Sequence, residues 1–248
     1  MSQITILFLY LLAAGAFTAS RLPRFKARSR PLFIVAAILV ATGIVVHGEA
    51  LFSLIHRDNG FDLSVGNAVS MIGFELAVIG LIASLEPTLR GISGGLVLLA
   101  ALTAVLMGPS GDALSGVGLA WQVRAHVLVA MLSYGLLTVG TIVALYALVQ
   151  ERRLHAAKLS PMNQLFAPLE TTEKLLFGVA GAGFAGLTLT IVSGLSFVDD
   201  LVEQHLAHKF GLSLLAWAVF GILLAGRHFR GWRGSRAVRL YLGCLLYT

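Results

Sequence analysis

Between Ile4 and Ile55 the chain reads ITILFLYLLAAGAFTASRLPRFKARSRPLFIVAAILVATGIVVHGEALFSLI. Two apolar runs, Ile4 to Thr18 and Pro31 to Ile55, flank a basic block of Arg21, Arg24, Lys26, Arg28 and Arg30. A helix needs about 20 predominantly apolar residues to cross a bilayer, with a range of about 17–25. Lys and Arg collect in short loops on the cytoplasmic side. The stretch therefore predicts two membrane-crossing helices joined by a cytoplasmic loop. Pro31 suits a first helical turn, where its missing N–H costs no hydrogen bond.

Working outward, the same alternation continues to the end of the chain. Further spans are predicted at Val65 to Leu85, stopping before Pro87, and at Leu89 to Met107, ahead of a Gly-Pro-Ser-Gly turn. Others follow at Trp121 to Gln150, Lys174 to Leu195 and His208 to Gly226, and an eighth starts near Ala237. Arg152, Arg153 and Lys158 form a second basic block, and Arg227, Arg230, Arg233, Arg236 and Arg239 a third. The intervening gaps carry acids instead: Asp58 and Asp62, Asp112, then Asp199, Asp200 and Glu203. With the first basic block inside, only Arg57, Arg124 and Lys209 of the 18 basic residues fall on the outer side. The N-terminus is thus expected outside. Trp121 suits an outer aromatic belt and Trp232 an inner one.

Composition excludes an ordinary soluble enzyme. Apolar residues make up 57% of the chain and charged residues 12%, against about 25% charged in soluble domains. The pI near 9.9 raises the question of nucleic acid, but the basic residues form no stripe beside stacking aromatics. Nucleic acid is therefore not expected as a partner. These residues read as topology signals that can also touch anionic lipid headgroups. The single cysteine, Cys244, permits no internal disulfide, no C-x-x-C-H haem attachment and no cysteine metal cluster. There is no Gly-rich phosphate loop after a strand and no His-Glu-x-x-His zinc motif. The first apolar run lacks a basic leader, so it reads as a retained span rather than a cleaved signal peptide. The expectation is one membrane domain over residues 1–248. Its fold class is all-α, a polytopic transmembrane helical bundle of about eight spans with the last one truncated.

Ionisable groups inside a bilayer are costly, and each calls for a partner or a function. His47, His126, His208 and His228 lie in or at the ends of spans, as do Glu49 and Glu75. Either each is hydrogen-bonded within the bundle, or some of them carry chemistry. Neutral imidazole is the usual nitrogen ligand for metals and haem iron, and two histidines on different helices can clamp a haem from both faces. His126 lies one turn into the fifth span and His208 at the outer start of the seventh, so they stand at similar depth. His205, three residues before His208, is a spare candidate. His47 is nine residues below His56, roughly 14 Å, and His228 is twenty below His208, roughly 30 Å, at a rise of 1.5 Å per residue. A straight-helix count thus does not level His47 with His228. His155, among basic loop residues, reads as solvated. Gly178, Gly181, Ala182, Gly183, Ala185 and Gly186 in the sixth span predict close helix packing. Ser133 and Tyr134 read as packing residues too.

Several of these residues resemble a known family. Arg124-Ala125-His126-Val127 followed by Leu132-Ser133-Tyr134 is similar to the "LHV…LLSY" signature of the cytochrome c assembly family. That family includes the CcsA, ResC, CcmC and HemX-like membrane proteins. Pro168-Leu169-Glu170, Gly183-Phe184, Leu187-Thr188-Leu189 and Ser193-Gly194 resemble its "PLE…GF…LTL…G" segment. Ala216-Trp217, His228 and Gly231-Trp232-Arg233-Gly234 are similar to its "W…H…GWRG" ending. The resemblance is strongest from Trp121 to Gly234 and lies nearest the short YpjD/HemX-like inner-membrane branch. It implies non-covalent haem b, an inner-membrane location, and partners among other cytochrome c assembly proteins. His126 matches the first external histidine and His228 the second intramembrane one. His47 precedes Phe61-Asp62-Leu63-Ser64 as an intramembrane histidine precedes "FPLS" in larger members.

Two departures qualify the resemblance. Haem-handling members carry a W-G-x-x-W-x-W-D stretch before the seventh span, whereas Phe197 to His205 contains no tryptophan, and His208 falls where the motif aspartate would be. No residue matches the second external histidine, and Cys244 to Thr248 does not match the family's ending, so a truncated or unrelated tail is expected. The expected function is haem binding in cytochrome c maturation or haem handling, with His126 and His208 as the level pair on the iron. The chain is expected to act as an assembly factor rather than as a catalyst on its own. The rivals are a transport or regulatory protein with a proton or cation path through Glu49, Glu75 and the histidines, and a scaffold that binds no haem.

Overall fold

The structure is a computed structural model of the 248-residue chain. It describes residues 2–57, 60–61, 64–108, 114–115, 121–155, 168–197 and 207–232, with positions 238, 240, 241 and 243. Seven α-helices run through these residues: α1 Ser2–Arg21, α2 Ser29–Ile55, α3 Val65–Ser84, α4 Arg90–Ala104, α5 Trp121–His155, α6 Leu169–Phe197 and α7 Ala207–Arg230. The first basic block is a short 3₁₀ helix, Pro23–Arg28, between α1 and α2. Three two-residue strands, β1 His56–Arg57, β2 Gly60–Phe61 and β3 Leu114–Ser115, pair antiparallel in that order. The fold is all-α and polytopic, as the apolar runs predict.

Six of the helices are long and apolar enough to cross a membrane. The exception is α4, whose 15 residues span about 22 Å at 1.5 Å per residue, short of a hydrocarbon core of about 30 Å. The predicted span continued to Met107, but the helix gives way to a turn after Ala104. There Gly108 N–H donates to Asn67 Oδ1 at 3.1 Å, so side-chain bonding replaces helical bonding. Of the expected eighth span, positions 238, 240, 241 and 243 are described, and all four are helical.

The chain divides into two units, one of residues 1–118 with 159–171 and one of residues 119–158 with 172–248. In the first unit α1 packs on α2 and α4, while α3 packs on α4 and α2. One stripe of α1, Ile6, Tyr10, Ala13 and Phe17, is fully buried, and Ile4, Phe8 and Leu12 on the other side are exposed. Large apolar side chains turned outward suit lipid rather than water. Close approach does the packing in such a bundle, because lipid is as apolar as the helix surfaces. The directions alternate as predicted. Arg21 at the end of α1 donates to the Pro87 carbonyl at 3.0 Å, and Arg90 lies over the Phe33 ring of α2 at 3.8 Å. Those basic groups mark one end. Gln3, bonded to the Met107 carbonyl, and Asn67 mark the other.

The second unit is built on α5 and α6, which run antiparallel. Gly183 meets Leu137, Gly186 meets Ser133 and Gly194 meets His126. Of the small residues expected to pack closely, Gly183 and Gly186 do so, whereas Gly178 and Gly181 face open space. Helix α7 joins through Trp217, whose ring stacks on Phe184 at 5.7 Å and whose Nε1–H donates to Thr188 Oγ1 at 2.9 Å. Tyr134 and Ser213 share a hydrogen bond of 3.0 Å between α5 and α7. Gly231 has φ +63°, a conformation open to glycine. It turns the chain back so that Trp232 N–H donates to the Gly226 carbonyl at 3.2 Å. Trp232 thereby packs on Gly226. The fully buried Tyr241 donates to the Leu137 carbonyl at 2.9 Å.

Candidate functional site

Histidines from the predicted set occupy two different kinds of surroundings. In the first unit His47 is wholly buried, about two thirds of the way along α2. Its Nδ1 is 3.3 Å from the Tyr10 hydroxyl of α1, and its Nε2 is 2.9 Å from Ser70 Oγ of α3. The ring also meets Phe74 edge-on at 5.8 Å. Both nitrogens are therefore engaged, and three helices are tied together through one side chain. An isolated polar group in a bundle core is expensive, and this network satisfies it.

Also in the first unit, Glu75 of α3 is buried, and among the described residues neither carboxylate oxygen has a hydrogen-bond partner. Glu49, two residues beyond His47, is exposed on α2. The two glutamates of the rival proton path thus differ sharply in surroundings.

In the second unit His126 lies five residues into α5. Its Nδ1 sits 2.8 Å from Ser193 Oγ, 67 residues further along the chain. The imidazole edge rests against Gly194, where an added Cβ would stand 3.2 Å from Cε1 and 3.9 Å from Nε2. The ring is half-buried, and among the described residues Nε2 makes no hydrogen bond. One nitrogen is anchored and the other is left over, in contrast to His47.

The remaining predicted ligands, and His155 and the acidic residues expected to be solvated, are described to different degrees. His208 is helical, as the second residue of α7, but its side chain lies outside the described residues, and so does that of His155. His205, Asp199, Asp200 and Glu203 lie outside them altogether. His228 is exposed near the end of α7, its ring edge-on to its neighbour Phe229 at 4.9 Å. Near it Arg227 forms an ion pair with Glu173 of α6 at 3.7 Å and lies over the Phe177 ring at 4.6 Å. Among the described residues no three His, Cys, Asp or Glu side chains converge as a metal cluster. A haem iron asks less of the protein, since one or two axial ligands suffice. His126 fits that requirement as it stands. His47 would have to release Tyr10 or Ser70.

Sequence reasoning singled out His126 but missed what holds it. Ser193 and Gly194 were visible as a motif pair, yet their contact with His126 exists only through the α5–α6 register. Tyr10 and Ser70 were not singled out either. The signal available was a tyrosine on the otherwise apolar stripe Ile6, Ala13 and Phe17, a place where a hydroxyl must find a partner.

The apolar helices make up a multi-pass membrane protein, with the half-anchored imidazole of His126 near one end of α5. The profile of the cytochrome c assembly protein family matches residues 4–247, and the chain belongs to that family. It is 34% identical to the "Inner membrane protein YpjD" of Escherichia coli (strain K12) over 113 residues, 46% of this chain and 43% of that protein. It is 29% identical over 132 residues to the "Cytochrome c biogenesis protein CcsA" of Guillardia theta, 46% of this chain and 44% of the relative. An "Uncharacterized 28.8 kDa protein in nifR3-like 5'region" of Azospirillum brasilense is 29% identical over 119 residues, 47% of this chain and 44% of its own length. The chain thus spans less than half the length of these curated relatives. No solved structure gives a significant match.

Proposed function

We propose that this chain is a haem-binding inner-membrane protein acting in cytochrome c maturation or haem handling, with His126 as its principal iron ligand. The observation that carries the reading is the division of labour on the imidazole. Metal-ligating histidines almost always hand their other ring nitrogen to an oxygen partner, which fixes the ring orientation. His126 has that partner in Ser193 at 2.8 Å, and Nε2 is left for iron. Family membership supports the choice of haem b, held non-covalently, because the chain lacks a C-x-x-C-H attachment motif. Bound there, haem would supply an iron centre whose behaviour is set by its axial ligands and surroundings. The chain's part is to orient the ring and shield one face from water. His208 is the proposed second ligand, on the strength of its depth. His228 follows, and His47 ranks last because both of its nitrogens are engaged.

The distribution of Lys and Arg supports an N-terminus on the outer side. The whole chain is proposed to act as one membrane domain, with lipid and other cytochrome c assembly proteins as its partners. The test is the visible spectrum of the purified protein from haem-replete cells, oxidised and then reduced. A strong band that sharpens on reduction is expected. A preparation that stays colourless after added haemin overturns the proposal.

A second reading has one observation on its side. Glu75 is buried without a hydrogen-bond partner among the described residues, the kind of intramembrane carboxylate found in proton paths. In that reading the protein moves protons or cations and binds no haem. Proton uptake by liposomes containing the protein, lost in Glu75→Gln, would favour it. Proton uptake equal to that of empty liposomes would exclude it.

A further inference from the structure

We infer that Ser193 dictates which nitrogen of His126 is bare, and so acts as the positioning residue of the proposed iron site. The argument follows the protons. A serine hydroxyl has one proton to give and two lone pairs to receive with. Ser193 Oγ donates to the Thr190 carbonyl of its own helix at 3.1 Å. With the serine proton kept on that carbonyl, the contact of 2.8 Å with His126 Nδ1 runs the other way in our proposal, with Nδ1–H donating to Ser193 Oγ. In a neutral imidazole only one nitrogen carries hydrogen. Nε2 is therefore the lone-pair nitrogen, and it is the one without a partner among the described residues.

The device depends on the α6 backbone. Thr190 supplies the carbonyl one turn before Ser193, and Gly194 follows it. The missing Cβ at Gly194 admits the imidazole edge beside Cε1. In the free neutral ring hydrogen resides mainly on Nε2, the form that could not ligate through that atom. The Thr190–Ser193–His126 chain reverses this preference before any ligand arrives, so no rearrangement is needed on binding.

The functional meaning rests on the reading of His126 as an iron ligand, but the test does not. Full-length protein in lipid nanodiscs, haem-free, at alkaline pH and with ¹⁵N-labelled histidine, reports the tautomer by nitrogen chemical shift. His126→Gln identifies the resonances. The expected result is a protonated Nδ1 and a bare Nε2 in the wild type, a shift towards Nε2–H in Ser193→Ala, and recovery in Ser193→Thr. Nε2–H in the wild type overturns the inference, as does a tautomer unchanged in Ser193→Ala. If Ser193→Ala does not fold, the wild-type tautomer decides alone. Haemin titration then separates the two claims. Ser193→Ala should weaken haemin binding by about 10–100-fold, the usual loss for an outer-shell partner, with Ser193→Thr near wild type. A protein with Nδ1–H on His126 that takes up no haemin keeps this inference and ends the haem reading. Tight haemin binding through His126 that ignores Ser193→Ala does the reverse.

Discussion

His47 in the first unit and His126 in the second are both held by a serine on a neighbouring helix, at 2.9 Å and 2.8 Å respectively. The difference lies at the other nitrogen. Tyr10 closes His47 at 3.3 Å, whereas nothing among the described residues closes His126. Burial follows the same division: His47 is sealed among α1, α2 and α3, and His126 is half-buried near the start of α5. One hydroxyl more or less thus separates a ring engaged at both nitrogens from a ring engaged at one among the described residues. Histidine in a span is ambiguous as a residue type, and the second partner is what distinguishes these two.

Substitutions can break this contrast. The largest expected effect on stability is at His47. His47→Ala strands the Tyr10 and Ser70 hydroxyls and opens a cavity between three helices, and should cost about 2–4 kcal/mol. Unfolding in denaturing detergent measures it. The same truncation at His126 loses one serine contact at a half-buried position, and should cost about 1 kcal/mol. Equal losses at the two positions would remove the distinction.

Next in size are the helix contacts of the second unit. At Gly183 a Cβ would come within 2.8 Å of Leu137 Cδ2 and 3.3 Å of its backbone nitrogen. Gly183→Val should therefore destabilise by about 1–3 kcal/mol through overpacking. The smallest effect has the opposite sign. Gly181 faces open space, so Gly181→Ala should stabilise α6 by about 0.5–1 kcal/mol through helix propensity. Thermal unfolding of the two variants side by side checks both. A loss in both would mean that the whole small-residue run packs, as the sequence alone implied.

Much of the fold was legible because its cause is local. A run of apolar residues between charged gaps must be a span, and α1, α2, α3, α5, α6 and α7 follow the predicted limits within a few residues. The short α4 was less legible, since its last predicted turn is lost where Asn67, 41 residues away, bonds to Gly108. For the same reason the sequence marked Gly178, Gly181, Gly183 and Gly186 alike, although only the last two touch α5. Site residues divide similarly. His126 was visible as an ionisable group in a span. Ser193 as its anchor, and Tyr10 and Ser70 as the clasp on His47, depend on interhelical register, which periodicity does not encode.

Haemin titration of the wild type, His126→Ala and His47→Ala, followed by visible absorbance, tests the central contrast most directly. The account predicts a strong haem band in the wild type, its loss in His126→Ala, and its retention in whatever fraction of His47→Ala remains folded. A band that survives His126→Ala and vanishes from folded His47→Ala would contradict it.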